Sequence, residues 1–168
     1  TVTVEGMGCQ PESLHKRAKS ALRSGDAELV FLVFDRDRAP KFEETVRKVA
    51  AAERIFAFVS IPCFEYFFLL HFVPTTAPFN SFDELSGTLR THHPFAHYSK
   101  KQHGVPIVAL SLLEEQALVN ARLTRNHRRQ TGTDNPYTDV DILFRFVELA
   151  KREGVERVLD EPTDDFFS

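Results

Sequence analysis

The chain has 168 residues, 42 % of them hydrophobic and 27 % charged, with a formal net charge of −3. That length suits one domain with a full hydrophobic core and no need of disulfides, and the balance is that of a globular protein. A slightly acidic chain excludes nucleic-acid binding through overall charge and leaves only a local basic patch for it, while the longest apolar run, at 67–73, is broken by His71 and is far too short to cross a bilayer.

The chain opens on Thr-Val-Thr-Val without an initiator Met, which predicts a strand over 1–5 and an upstream segment before it. A turn at Gly6-Met-Gly8 leads to a helix from Pro11, with Leu14, Ala18 and Ala21-Leu22 as its apolar stripe and Gly25 as its end. Residues 29–34 are continuously apolar and run into Asp35, which predicts a strand buried on both faces. A helix over 41–53 turns Phe42, Val46, Val49 and Ala50 inward, and 55–59 is the next strand. This β-α-β-α-β order predicts an α/β fold with a mostly parallel sheet and covering helices.

The pattern changes after Ser60. The aromatic stretch 62–72 predicts a short buried helix, and Pro74 and Pro78 mark a loop. Asn80 or Ser81 caps a helix to about Arg90, with Glu84 reaching back. A polar, His-rich connection fills 91–106. A long helix over 107–125 turns Val108, Leu112, Leu113, Leu118, Val119 and Leu123 inward. After a loop at 131–136, Thr138 caps a last helix over 138–152 whose inner face is Val140, Leu143, Phe144, Val147 and Ala150. Residues 1–152 read as one domain and 153–168 as a frayed, acidic tail.

Asp35 and Asp37 stand where the strand leaves the sheet, the edge at which open parallel sheets bind ligands. Two residues apart on an extended chain, they point the same way. Like charges so placed repel unless a cation or a proton lies between them, and Mg²⁺ is a natural resolution; a solvated loop with a helix cap is the other reading. Arg36 between them points the opposite way and either forms a salt bridge to a covering helix, the favoured reading, or contacts phosphate. Glu65 sits in an almost wholly apolar segment, where a carboxylate needs a partner, a metal or the N–H groups of a helix start. His71, six residues on, faces elsewhere and reads as a core histidine bonded to a carbonyl. Lys100 either steadies phosphoryl charge or lies in a solvated turn. Arg122, Arg125 and Arg129 share a helix face, with Arg128 beside them; the stripe either tracks a nucleic-acid backbone or complements a helix C-terminus. His92, His93, His97 and His103 lack companion ligands and do not read as a zinc site. Cys9 and Cys63 form no Cys-x-x-Cys pair and, without a signal peptide, fit a reduced, cytoplasmic protein.

Four strings occur in order: Val33-Phe-Asp-Arg-Asp-Arg-Ala-Pro40, Ile61-Pro-Cys-Phe-Glu-Tyr-Phe-Phe-Leu-Leu-His-Phe72, Tyr98-Ser-Lys100 and Asn135-Pro-Tyr-Thr138. Together they resemble the RloB family and the AbiLii-type abortive-infection proteins, over residues 2–152. The resemblance implies a Toprim-like (Rossmannoid) domain with a helical C-terminal portion. It also implies a Mg²⁺- or Mn²⁺-dependent nuclease of bacterial phage defence, acting on RNA or tRNA ahead of DNA, with an ABC/SMC-like ATPase as partner. Toprim domains carry a metal-binding Glu at the end of the first strand and an Asp-x-Asp at a later one. The Asp-x-Asp falls on Asp35 and Asp37. The Glu is either Glu5, followed by Gly6, or lies on a strand upstream of this chain, since 2–14 also looks like the family's second strand and helix. The match at Tyr98-Ser-Lys100 favours a functional Lys100. A docking subunit without catalysis is the rival reading. A phosphotransferase using Asp35 as nucleophile fits less well, because Asp37 is followed by Arg-Ala-Pro.

Overall fold

A computed structural model describes residues 2–6, 8–36, 39–100 and 105–160. Helix α1 (Pro11–Ser24) starts on a proline, whose missing N–H costs nothing in a first turn. It ends at Gly25, whose φ of 77° lies in the left-handed region that glycine enters without strain. Strand β1 (Val30–Asp35), helix α2 (Phe42–Ala50) and strand β2 (Ile55–Ile61) follow. The Val30 N–H donates to the Arg54 carbonyl and the Arg36 N–H to the Ser60 carbonyl. Donor and acceptor advance together, so β1 and β2 run parallel. Helix α3 (Glu65–Leu70) comes directly after β2, then α4 (Phe82–Leu89), a 3₁₀ turn (His93–Phe95), α5 (Ile107–Ser111) and α6 (Glu114–Thr131). Strand β3 (Tyr137–Thr138), α7 (Val140–Glu153) and α8 (Val155–Leu159) complete the order. The sheet order is β1-β2-β3. β3 is antiparallel to β2, with Ser60 opposite Thr138 and Ile61 opposite Tyr137.

The chain forms two compact units. The first comprises Thr1–Phe34, Arg38–Phe58 and Ile142–Ser168. In it α1 packs on α2, the Phe34 ring meets Phe42 edge-on, and Phe58, Ile142, Phe146 and Val158 form a core against which Phe31 and Phe56 pack. The second comprises Asp35–Asp37 and Val59–Asp141. Its centre is α3, whose Tyr66, Leu69 and Leu70 have no exposure and pack with Leu85 and Leu89 of α4 and Ala117 and Ala121 of α6. Asn120 of α6 is buried there and donates from Nδ2 to the Leu70 carbonyl at 2.7 Å, which satisfies a polar side chain inside an apolar cluster.

The protein is therefore mixed α/β, but its sheet has three strands among the described residues, one of them antiparallel and two residues long. That is smaller than the mostly parallel sheet the sequence predicts. Residues 2–5 form no strand; the alternation of Thr and Val suits a pleat, but among the described residues no strand pairs with them, and Val2 and Val4 are exposed. β1 is not buried on both faces, since Val33 is exposed while Leu32 and Phe34 are buried; β1 is an edge strand. The helix predicted over 107–125 breaks at Leu112-Leu113. Its buried face is Ala117, Asn120, Ala121, Thr124 and Arg125, whereas Val108, Leu112 and Leu123 are exposed. In α7 the buried residues are Val140, as expected, with Ile142 and Phe146, and Phe144 is exposed. The tail predicted to fray folds over Val155–Leu159 as α8, with Val158 buried.

Candidate functional site

The site in the second unit is built on the junction between β2 and α3. Pro62, after a cis peptide bond, ends the strand, and Glu65 opens α3. The helix N-terminus is favourable for an acid, yet Glu65 is only 6 % exposed. Its two carboxylate oxygens have different partners. Oε1 accepts a hydrogen bond from the Tyr98 hydroxyl at 3.0 Å. Oε2 is buried and accepts no hydrogen bond among the described residues. The Lys100 ammonium is 3.6 Å from it, an ion pair too long for a hydrogen bond.

Three aromatic contacts hold these partners in place. The Tyr98 ring meets Phe95 and Phe68 edge-on, at 5.3 and 6.2 Å between centroids, which aims its hydroxyl. Lys100 Nζ lies 4.4 Å from the centroid of Phe82, a cation–π contact. Burial first, and then the Glu65 charge, push the Tyr98 phenol up. The Cys63 thiol is also pushed up, by burial first and then by the adjacent Glu65 carboxylate, with Asp35 adding a smaller share of negative charge. Asp35, at the end of β1, thus acts on the same thiol that Glu65 touches. Cys63 is fully buried, and its burial and the neighbouring negative charge disfavour the thiolate.

Of the residues singled out in the sequence, Glu65 and Lys100 are paired, and Asp35 shares their neighbour Cys63. Asp37 lies outside the described residues. Glu5 belongs to the first unit, where Arg17 binds its carboxylate at 3.2 Å. Among the described residues no three His, Cys, Asp or Glu side chains gather to hold a metal ion. Arg36 pairs with an acid as expected, but the acid is Asp134, at 2.7 Å, in the loop after α6 and not on a covering helix. His71 is a core histidine, with Nδ1 2.9 Å from the Phe67 carbonyl. Tyr98 is the residue that sequence reasoning passed over; its 33-residue separation from Glu65 hides the contact.

The arginine stripe does not present one face to solvent. Arg122 and Arg129 are exposed, but Arg125 is buried and donates to Asp141 Oδ1 at 2.5 Å. Arg128 stacks over the Tyr137 ring at 4.1 Å. The reason is the string 135–138, expected to begin the last helix at Thr138. It forms β3 instead, so Tyr137, Thr138 and Asp139 are buried against α6 and β2. Thr138 does accept the Val140 N–H at 3.3 Å, but it sits in the sheet, with its hydroxyl 3.0 Å from that of Ser60.

Asp139, unforeseen in the sequence, is 2 % exposed. Its carboxylate accepts from the Tyr137 hydroxyl and from the Val59 N–H at 3.2 Å. Burial outweighs these bonds and pushes its carboxyl up to about 6. The unfolded chain has it near 4, so between about pH 4 and pH 6 the folded state binds more protons. Stability from this group is fully present below about pH 4 and falls as pH rises through 6, by about 3 kcal/mol. Asp139→Asn is expected to remove that loss. In urea titrations the stability of the variant relative to the parent should rise by about 2–3 kcal/mol from pH 4 to pH 7. An unchanged difference would show that the carboxyl titrates normally.

The model of the family described as RloB-like protein matches residues 1–146. No curated protein and no solved structure matches the chain.

Proposed function

We propose, because the chain belongs to the RloB-like family, that it is a divalent-cation-dependent nucleic-acid phosphodiesterase with a Toprim-like core and a site made by Asp35, Asp37 and Glu65. The observation that carries this reading is the Glu65 carboxylate. A buried carboxylate is costly unless its charge is matched, and here one oxygen is bonded while the other accepts no hydrogen bond among the described residues. A carboxylate oxygen left in this way is a hard donor, and together with Asp35, whose charge reaches the same Cys63 thiol, it suits Mg²⁺ or Mn²⁺. When bound, such an ion supplies polarisation of a phosphoryl oxygen and a water acidic enough to attack it.

The chain's own residues do the rest. Glu65 and Asp35 hold charge at the strand ends. Lys100, its side chain 42 % exposed, reaches a phosphoryl group and steadies its negative charge. The exposed Arg122 and Arg129 contact the sugar-phosphate backbone; Arg125, spent on Asp141, does not. RNA, tRNA above all, is favoured over DNA as substrate. The setting is cytoplasmic phage defence, with an ABC/SMC-like ATPase as the licensing partner.

The test is cleavage of tRNA and of DNA by the purified chain, with and without that ATPase, in Mg²⁺, Mn²⁺ or excess chelator. The expected result is cleavage of tRNA that chelator stops and added metal restores. Absence of metal-dependent cleavage of either polymer under all these conditions contradicts the reading. The rival, a docking subunit without catalysis, is favoured by one observation: Ile107, Val108 and Leu112 are 68, 77 and 81 % exposed, more apolar surface in one short stretch than solvent contact alone explains. On that reading Leu112→Asp breaks ATPase binding, and Glu65→Gln changes nothing.

A further inference from the structure

Glu65 is served by two different kinds of partner. Tyr98 fixes Oε1 through a hydrogen bond of 3.0 Å, and its ring is itself wedged against Phe68 and Phe95. Oε2 accepts no hydrogen bond among the described residues, and the Lys100 ammonium lies 3.6 Å from it. That ammonium does not hydrogen-bond to Oε2. Its position is shared with the face of the Phe82 ring at 4.4 Å, so it keeps a favourable contact when it leaves the carboxylate. A lysine is a compact point charge on a flexible four-carbon stem, suited to moving between partners. The tyrosine hydroxyl is neutral and rigidly mounted, suited to staying.

We infer that the Lys100 ammonium is the resident counter-ion of Glu65 Oε2 and cedes that place to a divalent cation, while Tyr98 keeps the carboxylate aimed through the exchange. The inference rests on the metal-site reading above. It gives Lys100 two partners in turn, first the carboxylate and then substrate phosphate, and it makes Tyr98 a positioning residue. The exchange keeps the buried carboxylate from being left uncompensated in the metal-free protein. It also makes the lysine a competitor of the ion it precedes.

The experiment is calorimetric titration of the full chain with Mn²⁺ alone. Lys100→Met, which keeps the apolar stem, is expected to bind Mn²⁺ about tenfold more tightly than the parent, because a like charge beside the ligand is gone. Lys100→Gln should do the same. Tyr98→Phe is expected to bind about tenfold more weakly, as when a residue that orients a metal ligand is lost. Glu65→Gln should lose this binding. Lys16→Met, an exposed charge on α1, controls for net charge and should match the parent. If Lys100→Met and Lys100→Gln bind no more tightly than the parent or the Lys16 control, while Glu65→Gln still loses the ion, the exchange is wrong and the metal site stands. If no form binds Mn²⁺, both fall.

Discussion

Asp35→Asn is expected to lower divalent-dependent phosphodiester cleavage by about 10²–10³-fold, the usual cost of removing one group that meets transition-state charge. Unfolding free energy should change by less than about 1 kcal/mol, as for substitutions outside the core. The asymmetry follows from where the residue sits. Asp35 is the last residue of β1 and is only partly buried, so asparagine, with nearly the same shape, preserves its packing. What the amide cannot do is contribute negative charge at the end of β1. The charge of Asp35 is felt at the Cys63 thiol, against which Glu65 also lies. Glu65→Gln should cause a loss of similar size. The double variant should be no worse than the single ones multiplied together, and much better if the two carboxylates act as a unit. Single-turnover cleavage with saturating metal, beside urea unfolding of the same preparations, checks both halves. Full activity in Asp35→Asn would remove it from the site.

Arg125→Met is expected to destabilise the protein by about 3–5 kcal/mol, the cost of stranding one member of a buried ion pair. That is a fall in melting temperature of roughly 6–20 °C for a chain of this size. Arg125 is 8 % exposed and bonds Asp141 at 2.5 Å. Burial works against its charge, and the bond and charge of Asp141 outweigh it and keep the guanidinium protonated. Without it the Asp141 carboxylate loses the guanidinium that bonds it. Arg125→Met/Asp141→Leu should recover most of the loss, since a well-packed apolar pair often matches a buried ionic one. The same experiment separates architecture from recognition. Arg122→Gln and Arg129→Gln should leave melting unchanged and flatten the salt dependence of nucleic-acid binding. If Arg125→Met melts like the parent and weakens nucleic-acid binding alone, the arginine is part of an interface and not of the fold.

The parts of this fold written in neighbouring residues are legible in the sequence. Pro11 and Gly25 bracket α1 because each acts on its own turn. Ser81 and Glu84 cap α4 reciprocally, the serine hydroxyl accepting the Glu84 N–H at 3.3 Å and the Glu84 carboxylate accepting the Asn80 N–H at 2.8 Å. The order of β1, α2 and β2 follows from apolar runs and turns in the same way. What depends on partners far along the chain is not legible. Thr-Val-Thr-Val alternates like a strand, but a strand exists only where another offers its edge. The inner face of α6 is small and polar because α3 packs against it through Asn120 and the Leu70 carbonyl, so its leucines mislead. β3 is two residues long, below the length at which a periodic pattern can appear. Of the site, Asp35 and Glu65 stand out because charge beside apolar runs is costly and so needs a reason, and Lys100 stands out only through the Tyr98-Ser-Lys100 string. Tyr98 looks like any aromatic residue until the fold brings its hydroxyl to Glu65.

The most direct test is a crystal of the protein soaked in Mn²⁺ and measured at a wavelength where manganese scatters anomalously. The expected result is one strong anomalous peak about 2.0–2.3 Å from oxygens of both Asp35 and Glu65, with Lys100 Nζ moved off Glu65 Oε2. A peak elsewhere, or none with Glu65 still paired to Lys100, would contradict a shared cation site at the ends of β1 and β2.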